Sequence, residues 1–167
     1  MQIQFKPIGV IQSPFAETKG TPIQPTAARD VTGSIEIYPE YAAGLKDLDG
    51  FSHLILLYHL HLAKDAELMV KPFLGNELHG IFATRSPARP NAIGLSVVRL
   101  TKVEGRTLYI QDVDIVAGTP LLDIKPYVAE FDARSEVRSG WFDQNLHKLA
   151  ITKDDGRFSK SRSRLRR

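Results

Sequence analysis

The apolar positions of this chain fall mostly in short runs with a period near two, separated by turn residues. Residues 5–12 have strand composition, and residues 33–38 alternate apolar and polar side chains. Residues 51–62 are apolar almost throughout, too continuous for a strand with one wet face. They predict a strand buried on both faces, or one crossing a barrel. Residues 95–103 and 107–115 flank Glu104-Gly105-Arg106, a hairpin signal, and residues 121–127 supply a last strand. Helical signal is sparse. Residues 39–45 carry proline near the start and glycine near the end, as a short helix does. Residues 135–149 place Val137, Trp141, Leu146 and Leu149 among polar residues and predict an amphipathic helix. The expected fold is mainly β, a single small β-barrel domain with short peripheral helices. The barrel is assigned to residues 1–133, a helical extension to 134–156, and a basic, disordered tail to 157–167.

Composition narrows the class. With 43% hydrophobic and 25% charged residues among 167, the chain can build one domain with a proper core. No run is long and uncharged enough to span a bilayer, and residues 1–7 lack a signal-peptide core. The absence of cysteine excludes disulfides and thiolate metal sites. A cytoplasmic location is expected. The net charge of +3 hides an asymmetry: Arg157, Lys160, Arg162, Arg164, Arg166 and Arg167 supply six positive charges, and without them the body carries −3. A basic tail of this kind adds phosphate affinity, or serves only solubility.

Candidate chemistry concentrates in residues 82–96. There Arg85, Arg89 and Asn91 sit in a segment stiffened by Pro87 and Pro90. Guanidinium forks on a pre-ordered loop suit an anionic or ribose-bearing ligand; a solvated surface loop is the alternative. His59 and His61 share a strand face if the strand is regular, and with His53 or His79 could hold zinc. The reading adopted is a pocket histidine, with no metal. Asp112 and Asp114 share a face of a regular strand. Two like charges so close require solvent, a cation or a ligand for at least one of them. Asp123 and Lys125 share a face and can pair. No Walker loop, HExxH motif or dinucleotide-binding glycine turn is present.

Set in order, these blocks resemble the TsaA-like (TrmO) family. They are Ile8-Gly9-Val10-Ile11 with Ser13-Pro14-Phe15, Pro22-Ile23-Gln24-Pro25, Gly44-Leu45 with Phe51-Ser52-His53, and residues 80–96. Gly118-Thr119-Pro120 and Asp123-Ile124-Lys125-Pro126-Tyr127 complete the set. The resemblance covers residues 3–130. It implies transfer of a methyl group from S-adenosylmethionine to N6 of threonylcarbamoyladenosine beside the anticodon of tRNA, by a homodimer with its donor pocket near the interface. The implied donor contacts are Pro25, Thr26, Ala27, His61, Arg85, Leu95, Gln111, Asp112, Val113 and Asp114. Asp114 and Arg85 are the expected catalytic residues; Arg89, Asn91, Lys125 and Tyr127 are expected to bind substrate. The family usually has Asp before Gly-Thr-Pro, where this chain has Ala117. The rival reading is a non-catalytic barrel module that binds S-adenosylmethionine or a nucleotide.

Overall fold

The computed structural model describes residues 1–160. Eight strands run in chain order: β1 Gly9–Gln12, β2 Thr32–Ile37, β3 His53–His59, β4 Met69–Val70, β5 His79–Gly80, β6 Ile93–Glu104, β7 Thr107–Gln111 and β8 Thr119–Pro126. Six close into an antiparallel barrel in the order β1-β2-β7-β6-β3-β8, with β1 paired to both β2 and β8. The other two, β4 and β5, form a small separate ribbon. The hairpin between β6 and β7 turns at Gly105, whose φ of 58° suits glycine.

Barrel closure explains the apolar run at β3. The inward positions Leu54, Leu56 and Tyr58 are buried, while Ile55 and Leu57 on the outer face are only partly covered. The strand therefore alternates like the others. Ile11, Ile35, Ile37, Val98, Leu108, Ile110 and Leu121 fill the same interior, each stabilising the fold by roughly 1.5–3 kcal/mol on leaving water.

Three sequence expectations fail locally. The strand at residues 107–115 ends at Gln111, because Asp112 takes a left-handed φ of 66°. Asp112 and Asp114 therefore do not share a strand face. His59 ends β3 and is exposed, whereas His61 lies in the next turn, its amide donating to the His59 carbonyl at 2.8 Å. Residues 135–149 do not form one amphipathic helix. Positive φ at Glu136 and Gly140 interrupts them, leaving the 3-10 turns Gly140–Phe142 and Leu146–Lys148. Among the described residues the one α-helical turn is Ala129–Asp132 (α1). Val137 and Leu146 stay exposed.

Residues 157–160, the start of the expected tail, are packed on the body. Residues 152–160 form a strap over one end of the barrel. Its backbone bonds to Gly20 and Thr21, then to Leu62 and Lys64, and the Arg157 guanidinium donates to the Lys71 carbonyl. Phe158 is buried against Phe73. The rest of the expected tail lies outside the described residues. No described helix is long and apolar enough to cross a membrane.

Candidate active site at the barrel mouth

The strap, the loop ahead of β6 and the ends of β3 and β6 enclose a cavity of about 380 Å³ at one mouth of the barrel. That volume falls in the range of small-molecule sites. The loop owes its shape to Arg89. One guanidinium nitrogen of Arg89 donates to the carbonyls of Thr84 (2.9 Å), Ile81 (3.2 Å) and Ser86 (3.4 Å), and the Thr84 hydroxyl donates to Ile81. Arg89 therefore holds the loop together while lining the cavity. Arg85, on the same loop, also lines the cavity, and its guanidinium donates to Gln24 Oε1 at 2.8 Å.

Behind the cavity wall, the buried Ser96 Oγ donates to Asp114 Oδ1 at 2.7 Å and lies 2.9 Å from the Tyr58 hydroxyl; Asp114 and Tyr58 themselves line the cavity. Burial pushes the Asp114 carboxyl up to about 7, against the opposing pull of the Ser96 hydroxyl and the Arg85 charge. Burial, and then the Asp114 charge, also hold the Tyr58 phenol protonated far into alkali. His61, on the cavity wall, is pushed below the usual imidazole range, mainly by burial. Asp114 is thus a cavity group poised to exchange a proton near neutrality; burial also raises Asp154, the other carboxyl on the wall.

Of the residues singled out in the sequence, His61, Arg85, Arg89, Leu95 and Asp114 reach this cavity. The structure seats the others elsewhere. Pro25–Ala27 forms a 3-10 turn against β6. Gln111 pairs with Thr32 and Arg99 in the barrel ladder. Asp112 accepts from the Asp30 amide at 2.9 Å and lies 3.6 Å from Arg99, and Val113 is buried. Asn91 is exposed off the cavity wall. Lys125 pairs with Asp123 at 2.8 Å as expected, and Tyr127 bonds to His53. These last two lie by the start of β3, opposite Ile55 and His53, roughly 10 and 17 Å along the strand from Tyr58. Ala117 is not on the cavity wall; its amide donates to Phe15.

The reading from sequence missed Gln24, Tyr58, Ser96, Trp141 and Phe158. Ser96 carried a signal, a hydroxyl at an inward position of an otherwise apolar alternation. Trp141 was taken for helix core. It stacks instead on His79 and Phe142, donates to the Ala83 carbonyl at 2.8 Å, and forms part of the cavity wall. Among the described residues no group of three or more His, Asp or Glu side chains could hold a metal.

A closed six-stranded barrel with a carboxylate-bearing pocket at its mouth and an arginine loop above it defines a small-molecule-binding β-barrel protein. The family model of the tRNA-methyltransferase O N-terminal domain matches residues 10–133, and the chain belongs to that family. It is 58% identical over 158 residues to a probable S-adenosyl-L-methionine-binding protein of Pyrococcus abyssi, covering 95% of this chain and 86% of the relative. It is 40% identical over 152 residues to the human tRNA (adenine(37)-N6)-methyltransferase, covering 84% of this chain but only 34% of that enzyme. A crystal structure of TrmO from Pseudomonas aeruginosa superposes with a TM-score of 0.72 at 39% identity, covering 84% of this chain and 62% of that one.

Proposed function

We propose that this chain transfers a methyl group from S-adenosylmethionine to N6 of adenosine 37 of tRNA, the adenosine bearing a threonylcarbamoyl group. The observation that carries the reading is the Tyr58–Ser96–Asp114 chain of hydrogen bonds, whose two outer members line a cavity of ligand size beside Arg85. The relatives' names supply the reaction class. The cavity fits such a donor: it sets a partly buried carboxylate, able to face a sulfonium, among mainly apolar walls.

When bound, the donor supplies an electrophilic methyl carbon, so that an N–C bond forms as an S–C bond breaks and a neutral thioether leaves. The protein's work is positioning and proton removal. N6 of the modified base belongs to a urea-like group and is a weak nucleophile until its proton departs. Asp114 is the acceptor for that proton, and its elevated pKa places it well for the task at neutral pH. Ser96 donates to Oδ1 and leaves the other carboxylate oxygen free of that bond. Tyr58 stays protonated and fixes Ser96 in turn. Gln24 aims the Arg85 fork, which binds the threonyl carboxylate. The walls, including Phe158 and Trp141 from outside the matched residues, exclude water.

The enzyme works in the cytoplasm as a homodimer, with Ile93 and Leu95, exposed at the cavity rim, as the apolar surface the partner covers. Sedimentation at micromolar concentration checks this: a monomer that binds donor at full strength rules out an interfacial pocket.

Incubation with methyl-labelled S-adenosylmethionine tests the function directly, using tRNA with and without the threonylcarbamoyl group. Label is expected in the modified tRNA alone. Tight donor binding with no transfer to either tRNA would support the non-catalytic module instead. In the same assay, Arg85→Lys and Arg85→Ala are both expected to lose about tenfold or more in kcat/KM, because a point charge cannot replace the fork. Equal rates in all three proteins would remove Arg85 from the site.

A further inference from the structure

Beside the cavity runs a second, more open depression of about 440 Å³, and Thr84, Arg85, Trp141 and Phe142 belong to both. Its outer part is built from Phe82, Arg138 and Gly140. Phe82 is 76% exposed, an unusual placement for a phenylalanine on a stiff loop. Arg138 is exposed and makes no ion pair or hydrogen bond among the described residues, and Arg85 spends one nitrogen on Gln24. Among the described residues no carboxylate lines the groove. This cationic patch stands on a body whose net charge, without the six basic residues from Arg157 onward, is −3. The groove is also preformed. Trp141 Nε1 bonds to the Ala83 carbonyl and ties the arginine loop to the 138–142 turn, while φ of 58° at Gly140 swings that turn back.

We propose that this groove binds the nucleotide next to the target adenosine in a single-stranded RNA loop, with its base stacked on Phe82 and its phosphate held by Arg138. The inference rests on the function proposed above for the neighbouring cavity. Single-stranded RNA is recognised by unstacked bases laid on aromatic rings and by cations along the backbone, and the groove offers both within one rigid frame. Its shared wall with the cavity lets a strand that inserts one base there lay the next in the groove. A protein partner would need to bring a carboxylate to Arg138, whereas RNA brings a phosphate with every nucleotide. Residues 138–140 lie outside the stretch matched by the family model, so the groove is completed by this chain's own C-terminal segment.

The test measures binding of a fluorescent anticodon stem-loop RNA to the full chain as a function of salt, beside a control RNA with the same stem closed by a tight tetraloop. Phe82→Ala is expected to weaken stem-loop binding about tenfold at all salt concentrations, the size of one lost stack. Arg138→Ala is expected to lower the slope of log K against log salt by about one, and Arg138→Lys to restore it. Neither should alter affinity for S-adenosylmethionine, which reports that the variants are folded and that the cavity is intact. These readouts do not require methyl transfer, so they stand or fall separately from the assay of the proposed function. Unchanged stem-loop affinity in both variants would overturn the inference. So would an equal loss for the tetraloop control, which would indicate duplex binding. A loss of dimer mass on sedimentation with RNA affinity unaltered would also overturn it and assign the face to a second copy of the chain.

Discussion

Replacing Asp114 with asparagine is expected to give a protein that folds, melts higher than the parent at pH 8, and transfers methyl groups about a hundredfold or more slowly. Both effects come from one property. Burial raises the Asp114 carboxyl from its ordinary 3.8 to about 7, so the folded protein holds this proton more tightly than the unfolded chain does. The sign follows directly. The carboxyl's contribution to stability is complete below pH 3.8 and is lost as pH rises through about 7. Asparagine does not titrate, and its carbonyl can still accept from Ser96. Its melting advantage should therefore appear at pH 8 and vanish near pH 4. Activity runs the other way, since kcat/KM of the parent should rise with pH to a plateau above about 7 as the carboxylate forms. Of the other groups on the cavity wall, burial moves His61 downward and the Asp154 carboxyl upward, and Tyr58 remains protonated. Thermal melts at the two pH values and a pH profile of kcat/KM check the pair of expectations. A variant with parental kcat/KM and the parental profile would dismiss Asp114 as the proton acceptor.

What the sequence disclosed, and what it concealed, divides along physical lines. The barrel was legible because each strand alternates over its own few residues, and the hairpin glycine marks its own turn. The run at residues 51–62 was ambiguous, since the outer face of β3 carries Ile55 and Leu57 where an exposed strand would be polar. Periodicity cannot reveal a backbone that leaves its lattice. A single left-handed residue at Asp112 turns one carboxylate toward Asp30 and Arg99 while Asp114 enters the cavity. The same limit hid residues 135–160. The apolar spacing of residues 135–149 fits a helix, but Glu136 and Gly140 break it, and Trp141 and Phe158 are spent on pocket walls. The strap's contacts with Gly20, Leu62 and Lys71 join residues from about 86 to 134 positions apart, beyond the reach of any local pattern. The arginine loop was recognised as a unit, yet its two arginines differ in work. Arg89 is consumed by three carbonyls of its own loop, and Arg85 faces the site.

Gly94→Ala should be the most damaging single-methyl change in the site, and the reason lies across the β3–β6 ladder. Gly94 pairs with Tyr58, and a Cβ at position 94 would stand 2.2 Å from the Tyr58 ring. The ring is buried on the barrel's inward face, so it cannot retreat without leaving Ser96. Overpacking of this kind costs about 1–3 kcal/mol. The displaced hydroxyl also gives up its partner in the Tyr58–Ser96–Asp114 chain, adding about 1 kcal/mol. For a domain of this size the sum lowers Tm by roughly 5–12 °C. Activity should fall with it, because Ser96 is no longer held against Asp114 by its neighbour. Tyr58→Phe separates the two effects: it keeps the ring and deletes the hydroxyl, and is expected to reduce kcat/KM with a Tm loss of no more than a few degrees. A second-site change completes the argument. Tyr58→Ala in the Gly94→Ala background vacates the space the new methyl needs, so the double variant should lose less stability than the two single losses combined. Strict additivity, measured by denaturant melts of all four proteins, would mean that Gly94 is required for something other than seating Tyr58.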